Sequence, residues 1–269
     1  VVKRFKGFMN NTQRPIVVSF SGHDPSGGAG IQADIEAITS HHCHAASIIT
    51  CLTVQDTQNV AEIVPQNPGN LIRQAKTLLA DLPVHAFKIG LIGHADTVQV
   101  IYDIVRRYPL IPVILDPILA AGGGTNLANE ALINSMRELL LPLTIVLTPN
   151  CQEARRLTGL DDIEACGERL LEFGCEYVLI TGADENTESV ENRLFNYQHQ
   201  ENYTWARLPS KYHGSGCTLA ASIAALFAHG VEPLQAINDA QEYTWNCLQT
   251  AYKTGAGQSN PNRFFWRDE

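Results

Sequence analysis

The segment "HGSGCTLAASIAALFAHG" puts Gly214, Ser215, Gly216 and Cys217 at the opening of a long alanine-rich run. Small residues at a helix start leave backbone N–H groups converging on one point, and the helix dipole adds partial positive charge there. An anion, or charge developing on a phosphoryl group in transfer, would be stabilised at that point. Cys217 in this position is expected to have a lowered pKa and to serve as a thiolate base. The same residues would also make a plain helix cap of small side chains beside a buried cysteine.

In "LTPNCQEARRL", Asn150 and Glu153 have the spacing of a helix-capping box. They also bring an amide and a carboxylate to the end of a strand, where they could hold hydrated magnesium near phosphates. In "VILDPILAAGGGTN", Asp116 ends a buried strand, where a carboxylate needs a partner, or begins an Asp-Pro turn. Gly122–Gly124 follow and could close over a ligand. "HHCH" at His41–His44 has metal-binding residue types, but adjacent side chains at a turn diverge, so loop-borne histidines are the expectation.

The stretch "SFSGHDPSGGAGIQADI", Ser19–Ile35, is rich in glycine at a strand-to-helix turn, where the backbone must approach something closely. Gly22 and Gly27 have P-loop spacing, but Gly28 stands where the lysine belongs. Gly28, Gly30 and Ala33 match the short dinucleotide fingerprint.

Apolar runs at Ile16–Ser21, Ser47–Leu52, Ala86–Gly90, Val113–Asp116, Thr144–Thr148 and Tyr177–Thr181 read as strands buried on both faces. Helices are expected between them: Gly30–Ser40, Asn70–Leu79, Thr97–Tyr108, Asn129–Leu140, Gln152–Thr158 and Ile163–Phe173. "NRLFNYQHQENYTWARL" reads as an antiparallel hairpin. Two helices, Gly216–His229 and Pro233–Tyr252, follow it. The fold class is therefore α/β: a three-layer α/β/α arrangement around a mostly parallel sheet, with an antiparallel hairpin toward the C-terminal end. Residues 15–269 are expected to form one domain, preceded by a loosely attached arm over residues 1–14. Ligands of such sheets bind beyond the C-terminal strand ends, which selects the loops at 22–30, 53–57, 90–93, 116–125, 149–153, 181–184 and 213–217.

The 269 residues are 45% hydrophobic and 17% charged, with a formal net charge of -9. That balance suits a globule with a core and argues against general nucleic-acid binding and an anionic membrane surface. Seven cysteines without a CxxC read as reduced thiols of a cytoplasmic protein. No apolar run reaches membrane-spanning length, and the first residues lack the apolar core of a secretory signal.

"SGHDPSGGAGIQADI", "IITCLTVQDT", "FKIGLIG", "VILDPIL", "LTPNCQEA" and "HGSGCTLAASIAAL" follow one another in the order found in hydroxymethylpyrimidine/phosphomethylpyrimidine kinases of thiamine biosynthesis. The chain resembles that family, within the ribokinase-like superfamily, from Ile16 to about Trp266. The resemblance implies transfer of the ATP γ-phosphoryl to a hydroxymethyl oxygen, and then to the resulting monophosphate. It implies Gly22, Ala29 and Asp34 at the substrate, Gln55 on the pyrimidine's polar edge, and Leu91 and Ile118 against the ring. It implies Cys217 as base with Gly214, Ser215 and Gly216 as anion hole. Asn150, Thr181 and Gly182 would meet the nucleotide, and Asp116 and Glu153 the magnesium. ATP and Mg2+ are the implied cofactors, with K+ a further candidate, and the implied state is a cytoplasmic homodimer.

The chain departs from the family in four places. Thr181-Gly182-Ala183 stands where many members have a "KGG"-like segment. The loop after "LDP" has no lysine, and "KYHGSGC" replaces the more usual Asn-Thr, with Lys211 as a compensating charge. The tail "GAGQSNPNRFFW" follows the family only loosely. A pyridoxal kinase shares fold and cofactors with the first reading. Outside that class stand a dinucleotide-dependent oxidoreductase and a non-catalytic ligand-binding relative. The oxidoreductase needs an acidic residue about 20 positions past its glycines; Asp56 is the approximate match.

Overall fold

The computed structural model describes residues 13–267. The expected N-terminal arm falls on residues 1–12, outside the described residues, apart from Gln13 and Arg14. Among the described residues nine strands form one sheet: β1 Ile16–His23, β2 His44–Gln55, β3 Val60–Pro65, β4 Ala86–Ile89, β5 Val113–Leu115, β6 Val146–Leu147, β7 Tyr177–Ile180, β8 Ser189–Asn196 and β9 Gln200–Ala206. Their order is β3-β2-β1-β4-β5-β6-β7-β8-β9. The pairs from β2 through β1 and β4 to β7 are parallel, while β3, β8 and β9 run antiparallel to their neighbours.

Side-chain alternation along each strand divides the core in two. Val18, Phe20, Phe87, Ile89, Val113, Leu115, Leu147 and Val178 face one layer. It is built from α2 Pro68–Asp81, α3 Ala95–Val105, α4 Glu130–Ser135, α5 Cys151–Thr158 and α6 Ile163–Glu172. Val17, Ala86, Ile114, Val146 and Leu179 face the other, formed by α1 Gly30–Ser40, α7 Ser215–Ala228 and α8 Pro233–Gln249. From Cys217 to Ala228, α7 is buried at every position but Phe227. A helix apolar on all sides belongs inside a fold, and its alanines let α1, α8 and the sheet approach together.

Two elements differ from expectation. β2 runs to Gln55 and turns back into β3, so Thr53 and Gln55 are strand residues and the expected loop shrinks to the hairpin tip. β3, "VAEIVP", buries only Val60 fully; an exposed edge strand ending in proline carries little hydrophobic signal. The helix expected over Asn129–Leu140 is α-helical only to Ser135. A π turn then covers Met136–Leu140, and a 3-10 turn ends at Leu143. Pro142 lies in that last turn and has no N–H to continue a helix.

The "HHCH" residues separate as they enter the turn. His41 is buried, with Nδ1 2.9 Å from the Ala37 carbonyl and Nε2 2.9 Å from the Ser222 hydroxyl, and Cys43 Sγ points to the Ala225 carbonyl. Burial pushes His41 down to about 4 from the ordinary 6.5, with His229 and His42 adding to it and the Ala37 carbonyl opposing. In the unfolded chain this imidazole takes up a proton more readily than in the folded one. Its neutral form therefore supports the fold fully above about pH 6.5, and that support is lost as pH falls toward 4, to the extent of about 3 kcal/mol. Urea unfolding at pH 7 and pH 4.5 should register this loss, and His41→Gln should flatten it.

Candidate active site

Two glycine turns meet at the C-terminal edge of the sheet. Gly214 has φ +70°, and a Cβ there would run into the Gly28 carbonyl oxygen. Gly30 has φ +57°, and a Cβ there would strike the Gly22 carbonyl. The turn after β1 and the start of α7 are thus pressed together backbone to backbone, which answers why both segments are glycine-rich. Gly214→Ala should force them apart and strain the left-handed residue. We expect a stability loss of about 2 kcal/mol and a turnover at least about 10-fold lower, read by denaturant unfolding and steady-state kinetics.

A cavity of about 250 Å³ opens where they meet. Its lining includes Gly22, Ala29, Gln55, Leu91, Ile118, Asp116, Asn150, Glu153, Thr181 and the whole run Gly214–Cys217. Thirteen residues singled out from widely separated motifs, Gly214, Ser215 and Gly216 among them, thus share one space. Gln55 Nε2 donates to Thr53 Oγ1 at 2.6 Å, which fixes the amide at the end of β2. Leu91, Ile118 and Val60 supply an apolar wall nearby. The roof comes from the loop after β5 and from the tail. Gln258 Nε2 donates to the Gly122 carbonyl at 3.1 Å, and Thr125 Oγ1 donates to Asn59 at 3.0 Å.

Asn150 and Glu153 do form a capping box. The Asn150 side chain accepts from the Glu153 N–H at 2.8 Å, and Glu153 Oε2 accepts from the Asn150 N–H at 3.0 Å. The other oxygen of Glu153 accepts from the Leu119 N–H at 3.2 Å, tying the loop after β5 to α5. Asp116, by contrast, has a buried Oδ2 without a hydrogen-bond partner. A cation or its bound water would complete that atom; Glu153 already spends both oxygens on amides. Burial pushes Asp116 up to about 6 against the pull of Lys88. Burial also pushes Glu153 up to about 8, with the Asp116 charge adding to it and the two amides opposing.

The thiol departs from expectation. Cys217 lines the cavity, yet it is 5% exposed, and burial pushes it up to about 12. Lys88 favours the thiolate, but Asp116 and Asp34 oppose it. The lowered pKa read from the helix start alone fails because that reading left out the cost of burial and the neighbouring carboxylates.

Three more residues lie elsewhere than expected. Asp34 is fully buried beneath the cavity, not on its wall. It pairs with Lys88 Nζ at 2.9 and 3.0 Å and accepts from Ser19 Oγ at 2.6 Å. Gly182 is not among the cavity-lining residues; its N–H donates to Asn192 Oδ1 at 3.1 Å, and Thr181 and Ala183 face the cavity on either side. Lys211 is exposed and does not line the cavity, so it supplies no compensating charge there.

Sequence reasoning also passed over groups that the structure brings to the site. Lys88 sits fully buried in β4, and burial works against its charge, but Asp34 holds it above the ordinary lysine range. A lone lysine in the apolar run "HAFKIG" was the available signal, since such a charge needs a partner. His213 Nε2 lies 2.9 Å from Asp24 Oδ2, and both line the cavity. Burial alone would raise Asp24. The bonds from His213, Ser26 and Ala29 outweigh it and hold the carboxyl below its usual range.

Residues 24–262 match the phosphomethylpyrimidine kinase family. The hydroxymethylpyrimidine/phosphomethylpyrimidine kinase of Synechococcus elongatus is 36% identical over 259 residues, covering 93% of this chain and 98% of the relative. That of Bacillus subtilis is 31% identical over 257 residues, covering 93% and 95%. Among solved structures, a Bacillus subtilis pyridoxal kinase in complex with ADP is similar with a TM-score of 0.87. At 24% identity over 96% of this chain and 100% of its own, it speaks for the fold alone. A phosphomethylpyrimidine kinase from Clostridium difficile has a TM-score of 0.75 at 28% identity, covering 86% and 98%. With the site's motifs on one cavity and the match running through nearly all of them, the chain belongs to the phosphomethylpyrimidine kinase family and is a kinase of ribokinase-like fold.

Proposed function

We propose that the protein transfers the γ-phosphoryl of ATP to the hydroxymethyl oxygen of 4-amino-5-hydroxymethyl-2-methylpyrimidine, in thiamine biosynthesis. The observation that carries this reading is the cavity itself. An apolar wall of Leu91, Ile118 and Val60 stands beside the Gln55 amide, and Cys217 and the Gly214–Gly216 amides line the same space. A flat heteroaromatic ring fits such a wall, and an amide can both donate to and accept from its polar edge.

The chain's own groups would act mainly by placement. Gly22 and Ala29 leave room for the ring, while Gln55 sets its orientation. Asn150 and Thr181 border the nucleotide side, and Gly182 shapes the backbone between Thr181 and Ala183. The amides at the start of α7 would stabilise charge on the transferring group. Phosphoryl transfer passes through a loose transition state, so positioning supplies most of the rate. The acceptor hydroxyl then keeps its proton until late, and that proton can pass to an oxygen of the transferred phosphoryl group, while Cys217 as a neutral thiol would orient the hydroxyl by a hydrogen bond. Asp116 would hold magnesium, with Glu153 keeping the Asp116 loop in place; when bound, the ion neutralises charge on the phosphates. The same cavity would take the monophosphate as second acceptor, with His23 and His213 as the basic side chains among its described lining.

Seven buried, unpaired cysteines among the described residues support a reduced, cytoplasmic setting, and family likeness supports a homodimer. The oxidoreductase alternative loses its acidic residue, because Asp56 Oδ1 accepts from the Gln58 and Asn59 N–H groups at the hairpin tip. A coupled ATP-consumption assay with the hydroxymethylpyrimidine, its monophosphate and pyridoxal tests the reading. The pyrimidine alcohol should give the highest kcat/KM; a clear preference for pyridoxal would overturn it.

A further inference from the structure

The chain after α8 returns across the molecule to the cavity. Tyr252 and Asn260 exchange backbone hydrogen bonds at 3.0 and 2.8 Å, and the Ser259 carbonyl accepts from the His213 N–H at 2.9 Å. The Gly257 N–H donates to Thr57 Oγ1 at 3.0 Å, and Gln258 enters the cavity lining. Arg263 closes this run. It is 1% exposed, and its guanidinium reaches three separate elements. Nε donates to Thr218 Oγ1 at 2.9 Å, Nη1 to Glu36 Oε2 at 2.9 Å, and Nη2 to the Gly28 carbonyl at 2.6 Å. Its own carbonyl accepts from Tyr243 Oη at 2.8 Å.

These partners are not scattered. Thr218 follows Cys217 at the start of α7, and Gly28 is the residue whose carbonyl abuts Gly214. A guanidinium is planar and its donor directions are fixed. It therefore sets the separation of its acceptors in a way a flexible ammonium does not. Arg263 itself is not among the cavity-lining residues, so its effect on chemistry would pass through the two turns it holds.

We propose that Arg263 is a positioning residue that sets the gap between the Gly214–Cys217 anion pocket and the glycine-rich acceptor turn. The proposal rests on the kinase reading above for its kinetic consequence. A residue that only secures the fold would change stability and leave turnover per folded molecule intact. A residue that sets the gap changes kcat, because a displacement on the order of 1 Å at the reacting groups costs about 100-fold. Nucleotide binding should be spared, since Asn150, Thr181 and their surroundings do not touch the guanidinium.

The test compares full-length wild type with Arg263→Met, Arg263→Lys and Glu36→Gln. Arg263→Met should lower kcat about 100-fold while KM for ATP stays within about 3-fold. Arg263→Lys should lose about 10-fold, because one ammonium cannot serve all three acceptors in plane. Glu36→Gln keeps the contacts to Thr218 and Gly28 and should stay within about 2-fold. Amide hydrogen exchange supplies a readout independent of turnover. Segments 24–30 and 214–218 should exchange faster together in Arg263→Met and remain unchanged in Glu36→Gln. Wild-type kcat in a folded Arg263→Met, or faster exchange in only one segment, would overturn the proposal. If Arg263→Met does not fold, Arg263→Lys carries the same comparison. If wild type phosphorylates none of the three acceptors, the substrate reading fails, and the exchange measurement still decides whether Arg263 couples the two turns.

Discussion

Cys217→Ala is expected to lower kcat about 100-fold, the scale of a misplaced acceptor hydroxyl, with KM for ATP unchanged. The sulfur stands at the first turn of α7 on the cavity wall, and little else changes when it is removed. The stability cost should be about 1 kcal/mol, the loss of one small buried group. Because burial pushes the thiol up to about 12, the resting side chain is neutral across physiological pH. In the proposed reaction its contribution is then a hydrogen bond that orients the acceptor hydroxyl, whose proton passes to the transferred phosphoryl group, not a preformed thiolate. Cys217→Ser keeps such a bond and should lose only about 10-fold. Steady-state kinetics at saturating ATP, with circular dichroism to confirm the fold, makes the comparison. Full turnover in Cys217→Ala would remove the sulfur from the mechanism; a serine variant as poor as alanine would require an ionised sulfur after all.

The largest stability loss should come from Lys88→Met. Lys88 and Asp34 are both 0% exposed and hold each other at 2.9 and 3.0 Å. Removing the ammonium leaves a carboxylate inside the protein with Ser19 Oγ as its remaining described partner. Breaking one side of a buried pair costs about 3–5 kcal/mol, or roughly 10 °C in Tm for a chain of this size. Replacing both partners removes the stranded charge. Lys88→Met with Asp34→Leu should therefore recover most of the loss, and a double-mutant cycle by denaturant unfolding would measure the coupling. Losses that simply add would show that the pair does not act as a unit.

The arrangement of the sheet was readable because strands β1 and β4 to β7 are predominantly apolar runs, broken by Ser19, Ser21 and Lys88, without a regular polar alternation. β3 escaped notice because a half-exposed edge strand obeys neither the buried-run pattern nor strict alternation. The cavity wall was readable where a motif has a local cause: Gly214 and Gly30 are glycines because they turn left-handed where a Cβ would strike another backbone. What could not be read locally is the setting of each charge. Cys217 lines the cavity, but its pKa is raised where the helix start alone suggested a lowered one, since burial and the Asp116 and Asp34 charges come from elements far away in sequence. Asp34 shares a motif with cavity residues but points beneath them, because one helical turn past Gly30 its side chain faces β4 and meets Lys88. Arg263 and Gln258 carried no signal, as nothing in "GAGQSNPNRFFW" marks a return to residues near the start of the chain.

That return has a consequence for synthesis. Arg263 lies 235 positions after Gly28 and 227 after Glu36, and Gly257 lies 200 after Thr57. Contacts so distant along the chain form late, because a long loop must close before they contribute. A ribosome can have delivered the strands from β1 to β9 and both closing helices while the pocket still lacks its rim. A message cut short before residue 258 should yield a nascent product that builds its sheet but remains enzymatically silent.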